Sequence, residues 1–200
     1  MIIHKHASML AGKLAKVNVI EERSQDVYTY GFELIISGAA NVIFIAIISV
    51  LLRRYYDWML FLIAFIPLRT TAGGYHANSH LKCILVGTLS FAALLLISRL
   101  QVGWVVIVPI ITGFSFLIVL LFSPIEAHNK KLKEEQIRKN RKASICIGVA
   151  NLFIAFTAFF IQGISSIMAI YFAGVFAAAL SMLVAKTINF YKGRDRNEST

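Results

Sequence analysis

The stretch from Arg69 to Cys83 contains the side chains best suited to chemistry. It holds two histidines, one cysteine, a pair of glycines and one arginine. A cysteine near a helix start is favoured as a thiolate, because free amides and the helix dipole stabilise negative charge. Asn78 or Ser79 is a suitable N-cap for such a helix. With a histidine as its base, Cys83 would form a nucleophilic pair. The alternative interpretation is that Cys83 is a small buried hydrophobic residue.

Two histidines, His76 and His80, are candidates for the base. His80 precedes Cys83 by three residues and reaches it on a regular helix. His76 shares a face with Cys83 on a continuous helix but lies about 10.5 Å away along the axis. His76 therefore requires a bend, and the glycine pair 73–74 predicts irregular backbone just upstream. Helical geometry alone favours His80.

A metal site is the main competing chemistry for this stretch. His76, His80 and Cys83 follow an i, i+4, i+7 spacing, which places three zinc-ligand types on one helical face. However, no Asp or Glu occurs between Trp58 and Ile125, whereas a catalytic zinc site usually brings a carboxylate as its general base. The sequence also lacks the glycine fingerprints of phosphate-binding and dinucleotide-binding loops. We therefore expect no metal and no cofactor.

The composition indicates that an all-α integral membrane protein positions these residues. Hydrophobic residues make up 58% and charged residues 15% of the 200 residues, whereas soluble domains are roughly 45–50% apolar and about 25% charged. The apolar segments are 32–52, 58–68, 84–98, 102–122, 145–161 and 164–184. The first, fourth, fifth and sixth are long enough to span a bilayer, whereas the second and third are short and either span or re-enter. Cys146, in the fifth segment, is expected to be a small buried residue.

The net charge of +10 fits a membrane topology better than a nucleic-acid partner. With the N-terminus inside, seventeen of the 20 Lys and Arg residues fall in inner segments. Those segments are 1–31, 69–82, 123–144 and 186–200. Because positive charge collects on the cytoplasmic side, we expect both termini and the 69–83 loop to be cytoplasmic.

Residues 1–20 are predicted to form a basic amphipathic helix. Its apolar stripe comprises Ile3, Ala7, Leu10, Leu14 and Val17. The opposite side carries Lys5, Lys13 and Lys16. Such a helix either lies on the membrane surface or packs on the cytoplasmic face of the protein itself, and both arrangements are compatible.

Two motifs together resemble the accessory gene regulator B (AgrB) family. The first is Arg69-x4-Gly74-x-His76-x6-Cys83, and the second is Ser123-Pro124-Ile125-Glu126-x2-Asn129-Lys130. The resemblance extends to the six apolar segments, the N-terminal helix and the basic loop 123–144, and so covers nearly the whole chain. It implies one membrane domain over 1–200, with a cytoplasmic helix region at 1–31, transmembrane helices at 32–186 and a cytoplasmic tail at 187–200.

The resemblance implies a membrane-embedded cysteine endopeptidase of quorum sensing in the bacterial plasma membrane. Cys83 matches the nucleophile of the family and His76 its catalytic histidine, so the resemblance favours His76 over His80 and implies a bend before Cys83. The supporting loop comprises Arg69, Gly73, Gly74, Asn78 and His80. The second motif contributes Pro124, Glu126, Asn129 and Lys130. Lys131 stands where the family often has a proline, a departure that concerns the shape of the basic loop.

The resemblance also implies a substrate and partners. Cys83 would cut an AgrD-type precursor peptide, keep one part as a thioester, and release it when a cysteine of that peptide closes a thiolactone ring. We expect a homodimer in contact with lipid, without nucleic acid. The leader of a precursor peptide would suit residues 1–20, and an acidic tail of that peptide would suit the basic stretch 130–142.

Two functions are alternatives to the peptidase. One is a transporter or channel with His76, His80 and Cys83 on a proton or metal path, and the other is a non-enzymatic assembly or sensor protein.

Overall fold

The computed structural model describes residues 2–74, 80–98, 100, 103–125, 134–161 and 166–197, and its elements there are helices. The α-helices of this part are α1 (Ile2–Lys16), α2 (Gln25–Leu51), α3 (Asp57–Ala72), α4 (His80–Ile97), α5 (Trp104–Phe122), α6 (Glu134–Phe160) and α7 (Ser166–Asn197). A short 3-10 helix, Glu22–Ser24, leads into α2. The predicted all-α fold is therefore confirmed over the described residues.

Four helical stretches are long and apolar enough to cross a membrane. They are Glu22–Leu51, Trp104–Phe122, Glu134–Phe160 and Met168–Asn189. These are the four segments whose length predicted spanning, so the chain is a multi-pass membrane protein as expected. α4 contains a shorter apolar stretch, Ile84–Ile97, and α3 has 16 residues. Whether these two also span stays a prediction.

The chain divides into two compact units. The first unit combines Met1–Arg53 with Ala77–Ala92 and contains α1, α2 and the first part of α4. The second unit combines Arg54–His76 with Ala93–Thr200 and contains α3, α5, α6 and α7. Candidate site residues lie in both units.

In the first unit, α1 packs against α2 through its smallest side chains. Ala7, Ala11 and Ala15 are buried at a four-residue spacing, which lets the two helices approach closely. Toward the start of α1, the His4 Nδ1 atom lies 2.5 Å from the Glu33 carboxylate of α2. The His4 side chain is largely exposed, so the buried alanines are the main attachment of α1.

The predicted apolar stripe of α1 corresponds only partly to the buried face. Ala7 belongs to both, but Leu10 and Val17 are exposed. The buried face is rotated toward Ala11 and Ala15, because close packing selects small side chains rather than the most hydrophobic ones. The interpretation that α1 packs on the protein itself is therefore correct for the alanine face, and membrane contact of its exposed apolar side chains stays a prediction.

In the second unit, α3 and α7 lie against each other in parallel. A Cβ atom on Gly174 of α7 would lie 2.5 Å from the Phe61 carbonyl of α3, so only glycine fits this approach. Farther along both helices, Ser181 of α7 and Arg69 of α3 both lie next to Gly74. The contacts follow the same order along α3 and α7, so the two helices run in the same direction. The core between the helices of this unit includes Leu68, Ala72, Val119, Phe172, Ala178, Ala179 and Met182.

α6 runs antiparallel to α5 in the same unit. Ser123, just after α5, contacts Ser144 in the first half of α6. One turn farther into α6, a Cβ on Gly148 would lie 2.7 Å from the Phe116 ring of α5. The part of α6 around Ser144 therefore lies at the end of α5, next to the second sequence motif.

Candidate functional site

The described part of the candidate site is built around the turn that ends α3. The helix stops at Ala72, and Gly73 follows with φ 78° and ψ −164°. Gly74 has φ 148°. L side chains rarely adopt such angles, so the backbone favours glycine at both positions. The space favours it as well, because a Cβ atom on Gly73 would overlap the carbonyl oxygen of Ile125.

The second motif pairs with this turn through its backbone. Gly73 and Ile125 form a parallel β-bridge, and the Ile125 N–H donates to the Ala72 carbonyl at 2.9 Å. The Ser123–Pro124 peptide bond that precedes this pairing is cis. The two motifs are far apart in the sequence, yet the turn of the first and the 123–125 segment of the second form one structure.

Arg69 and Ser181 cover the second glycine of the turn. A Cβ atom on Gly74 would lie 2.5 Å from Arg69 Nη1 and 2.6 Å from Ser181 Oγ. The Ser181 hydroxyl also donates to the Ala178 carbonyl at 2.7 Å, which fixes its position on α7. The guanidinium of Arg69 is thus held over the turn at the α3–α7 contact. Ser181 was missed in the sequence, although a polar side chain in an apolar span is a signal for such a role.

Ser144 fastens the second motif to α6. Its hydroxyl lies 2.5 Å from that of Ser123, and both residues are buried. Because the Ser144 hydroxyl donates to the Arg141 carbonyl at 3.0 Å, Ser123 is the donor between the two serines. The 123–125 segment is therefore held at both ends, by Ser144 on one side and by the Ala72 carbonyl on the other. Ser144 also was not predicted.

Positive charge lies beside this segment. The Lys186 Nζ atom of α7 lies 3.4 Å from the centre of the Phe122 ring, which is a cation–π contact. On the first turns of α6, the exposed basic side chains are Arg138, Lys139, Arg141 and Lys142. The described part of the basic loop thus presents charge to solvent next to the buried serine pair.

α4 carries the candidate nucleophile in the first unit. The structure describes α4 from His80 onward, and Cys83 is the fourth residue of that range. Farther along, the Thr88 hydroxyl donates to Asn41 Oδ1 of α2 at 3.1 Å. The Asn41 amide also covers Gly87, where a Cβ atom would lie 2.7 Å from Nδ2.

The remaining predicted site residues lie outside the described residues. They are His76, Asn78, Glu126, Asn129 and Lys130. The bend before Cys83 therefore stays a prediction, and the metal triplet that includes His76 stays an untested alternative. Among the residues that the structure describes, no group of three His, Cys, Asp or Glu side chains could hold a metal ion.

Cys146 differs from its prediction. It was expected to be buried, but it is exposed on α6, within a stretch apolar enough to cross a membrane. Lipid tails are as apolar as a protein core, so a small apolar residue of a span is stable on either side of the helix. The hydrophobic pattern alone could not distinguish the two positions.

Comparisons with known proteins agree with the two motifs. The family model described as accessory gene regulator B matches residues 7–188. A protein of Clostridium perfringens (strain 13 / Type A), which carries the name AgrB-like protein 2, is 26% identical over 161 residues, covering 76% of this chain and 75% of that protein. An AgrB-like protein of Clostridium perfringens (strain SM101 / Type A) is 25% identical over 161 residues with the same coverage. No solved structure matches the chain with significance. The chain belongs to the accessory gene regulator B family, and this membership places it in agr quorum-sensing processing together with an AgrD-type precursor peptide.

Proposed function

We propose that the chain is a membrane-embedded cysteine endopeptidase that removes the C-terminal part of an AgrD-type precursor peptide. In this proposal Cys83 is the nucleophile and His76 is its base. The observation that carries the proposal is the pairing of Gly73 with Ile125, because two motifs that serve one site are expected to meet in the fold. The position of Cys83 in the first turn of α4 adds support, since a helix start favours a thiolate.

The proposed reaction is an acyl transfer in two stages. His76 accepts the proton of the Cys83 thiol, and the thiolate attacks the carbonyl carbon of the scissile peptide bond. The C–N bond breaks, and the departing amine takes the proton from His76. The remaining acyl group is then a thioester on Cys83. A cysteine thiol of the bound peptide attacks this thioester, its proton passes through His76 to the Cys83 sulfur, and a thiolactone ring is released.

The first turn of α4 is the better source of hydrogen bonds to the oxyanion. The alternative source is the glycine turn. In a parallel bridge between Gly73 and Ile125, however, the amide of Gly74 faces the Ile125 carbonyl. That amide would therefore not be free to bind the oxyanion. Amides at a helix start have no partner inside the helix, and those of the first turn of α4 lie close to Cys83 in sequence. One helix end would then stabilise both the thiolate and the oxyanion.

Co-expression with an AgrD-type precursor, followed by mass spectrometry of the peptide, tests this function. Cys83→Ala is expected to abolish cleavage, whereas Cys146→Ser, at an exposed position of α6, is expected to retain it. Continued cleavage by Cys83→Ala would contradict the peptidase. A parallel comparison of His76→Ala with His80→Ala identifies the base, and loss of cleavage only in His80→Ala would show that the motif alignment is wrong.

Further parts of the proposal concern the partners and the topology. The exposed basic side chains at the start of α6 support binding of an acidic part of the precursor. Charge reversal by Lys139→Glu and Lys142→Glu should raise KM about tenfold, and less at high salt.

We also propose a homodimer in contact with lipid, a single domain over 1–200, and a cytoplasmic location for both termini and for the 69–83 loop. The excess of Lys and Arg in the inner segments supports this orientation.

A further inference from the structure

We propose that Asn41 is a positioning residue for Cys83, acting through the contact between α2 and α4. The inference rests on the proposed function, in which Cys83 is the nucleophile. Asn41 does not react with the peptide in this proposal. It fixes the depth and the rotation of the helix that presents the thiol.

The hydrogen bond of Asn41 has a physical cause in its surroundings. Asn41 lies near the middle of α2, inside a stretch that is apolar enough to cross a membrane. A side-chain amide without a partner is costly at that depth, so it seeks a polar group on a neighbouring helix. The Thr88 hydroxyl donates to Asn41 Oδ1 at 3.1 Å, and Thr88 is buried. The bond is therefore part-buried, and it joins α2 to α4 at one place.

Shape adds a second constraint at the same place. A Cβ atom on Gly87 would lie 2.7 Å from Asn41 Nδ2 and 3.0 Å from Oδ1. The amide thus rests directly on the backbone of α4, and a larger residue than glycine would push it away. Hydrogen bond and shape together allow one relative position of α2 and the first part of α4.

α4 needs such a constraint because its hydrophobic pattern does not supply one. Apolar side chains occur on its buried face, at Ile84 and Phe91, and equally on its exposed face, at Leu85, Val86 and Leu89. In lipid, turning an apolar side chain inward gains little, so hydrophobicity sets neither rotation nor depth. A slip by one residue would rotate each side chain by about 100° and shift it by about 1.5 Å.

A slip of α4 would displace Cys83 by the same rotation and shift. Cys83 lies four residues, or about one turn, before Gly87 on the same helix. The Asn41 contact is therefore close enough to Cys83 for the helix to transmit any displacement without loss. A misplacement of about 1 Å can cost about 100-fold in rate, so the contact is expected to affect kcat more than binding.

The test uses the full chain in phosphatidylethanolamine–phosphatidylglycerol vesicles, with the AgrD-type precursor that the wild type cleaves. Thr88→Val removes the donor at nearly constant shape, and we expect kcat per folded protein to fall about 10- to 100-fold with KM within about twofold. Thr88→Ser keeps the hydroxyl and should restore most of kcat. Asn41→Ala should resemble Thr88→Val, and the double variant should lose no more than either, because both remove one contact.

Tyr171→Phe is the matched control. The Tyr171 hydroxyl donates to Asn151 Oδ1 at 2.9 Å between α7 and α6, so this change also removes an interhelical bond, but in the second unit. It should lower thermal stability without a selective loss of kcat. If Thr88→Val and Asn41→Ala lower kcat per folded protein no more than Tyr171→Phe does, the inference is overturned. The proposed function still stands in that case if Cys83→Ala is inactive, whereas cleavage by Cys83→Ala overturns both.

Discussion

The turn after α3 and the first part of α4 both carry candidate site residues, but they are held in different ways. In the turn, backbone pairs with backbone: the Ile125 N–H binds the Ala72 carbonyl, and Gly73 has no room for a side chain. On α4, the contact consists of the side chains of Asn41 and Thr88. The end of a side chain can rotate away from an intruding atom, whereas paired backbone cannot. The turn should therefore tolerate substitution much less than the α4 contact.

The largest effect is expected from Gly73→Ala. The new Cβ would overlap the Ile125 carbonyl oxygen, and alanine would have to adopt a φ of 78°. Strain and overlap together should cost roughly 2–6 kcal/mol. The 123–125 segment would separate from the turn, so cleavage should fall by more than about 100-fold even in the protein that still folds. Thermal unfolding in detergent and precursor cleavage per folded protein measure the two effects.

Gly113→Ala in α5 is the control for this prediction. Nothing lies within 4 Å of a Cβ atom built on Gly113, and alanine suits a helix better than glycine by about 0.5–1 kcal/mol. Stability should be unchanged or slightly higher. If Gly73→Ala and Gly113→Ala behaved alike, the backbone pairing of the turn would not matter and the contrast with α4 would disappear.

The helices could be predicted from the sequence far better than their contacts. The four long apolar segments correspond to helices that can cross a membrane, because length and hydropathy suffice for that decision. The inward faces could not be predicted. Cys146 is exposed and Leu10 lies outside the buried face of α1, since lipid makes burial and exposure nearly equivalent for apolar side chains.

A smaller effect is expected from Gly87→Ala on α4. The new Cβ would meet the end of a side chain, 2.7 Å from Asn41 Nδ2, and Asn41 can rotate at the cost of its bond with Thr88. We expect a loss of about 1–3 kcal/mol in unfolding free energy. Adding Asn41→Ala should make the two changes less than additive, because the overlap is then gone. Strict additivity in thermal unfolding would show that Asn41 does not rest on Gly87.

The candidate site could be predicted in its residue types but not in its assembly. The turn glycines and Pro124 were identified by motif, yet the pairing of Gly73 with Ile125 joins distant parts of the chain, which spacing along one sequence cannot reveal. Asn41 is a polar residue inside an apolar stretch, and Ser144 lies at the edge of one. Their cost in lipid is a usable signal, but it does not name the partner that each side chain binds.

The turn after α3 and the first part of α4 differ both in the kind of contact, backbone or side chain, and in the unit that contains them. Ser144→Ala tests which of these two differences determines how well each region tolerates substitution. The Ser144–Ser123 pair lies in the second unit, as the turn does, but it is a side-chain contact. Ser144→Ala leaves the Ser123 hydroxyl buried without its acceptor, which should cost about 1–2 kcal/mol. Ser123→Ala together with Ser144→Ala should recover most of the loss, since no buried hydroxyl then remains. A loss as large as that of Gly73→Ala would mean that the second unit is rigid throughout.

The smallest effect is expected at the His4–Glu33 contact between α1 and α2. His4 is largely exposed, with 69% of its side chain accessible, and exposed pairs of this kind contribute about 0–1 kcal/mol. The buried alanines should hold α1 without it. Hydrogen exchange of residues 2–16 should therefore change little in His4→Gln but rise clearly in Ala11→Leu, because Ala11 is fully buried and a larger side chain would separate the helices. Faster exchange in His4→Gln than in Ala11→Leu would show that single polar contacts hold the whole first unit together, α1 as well as α4.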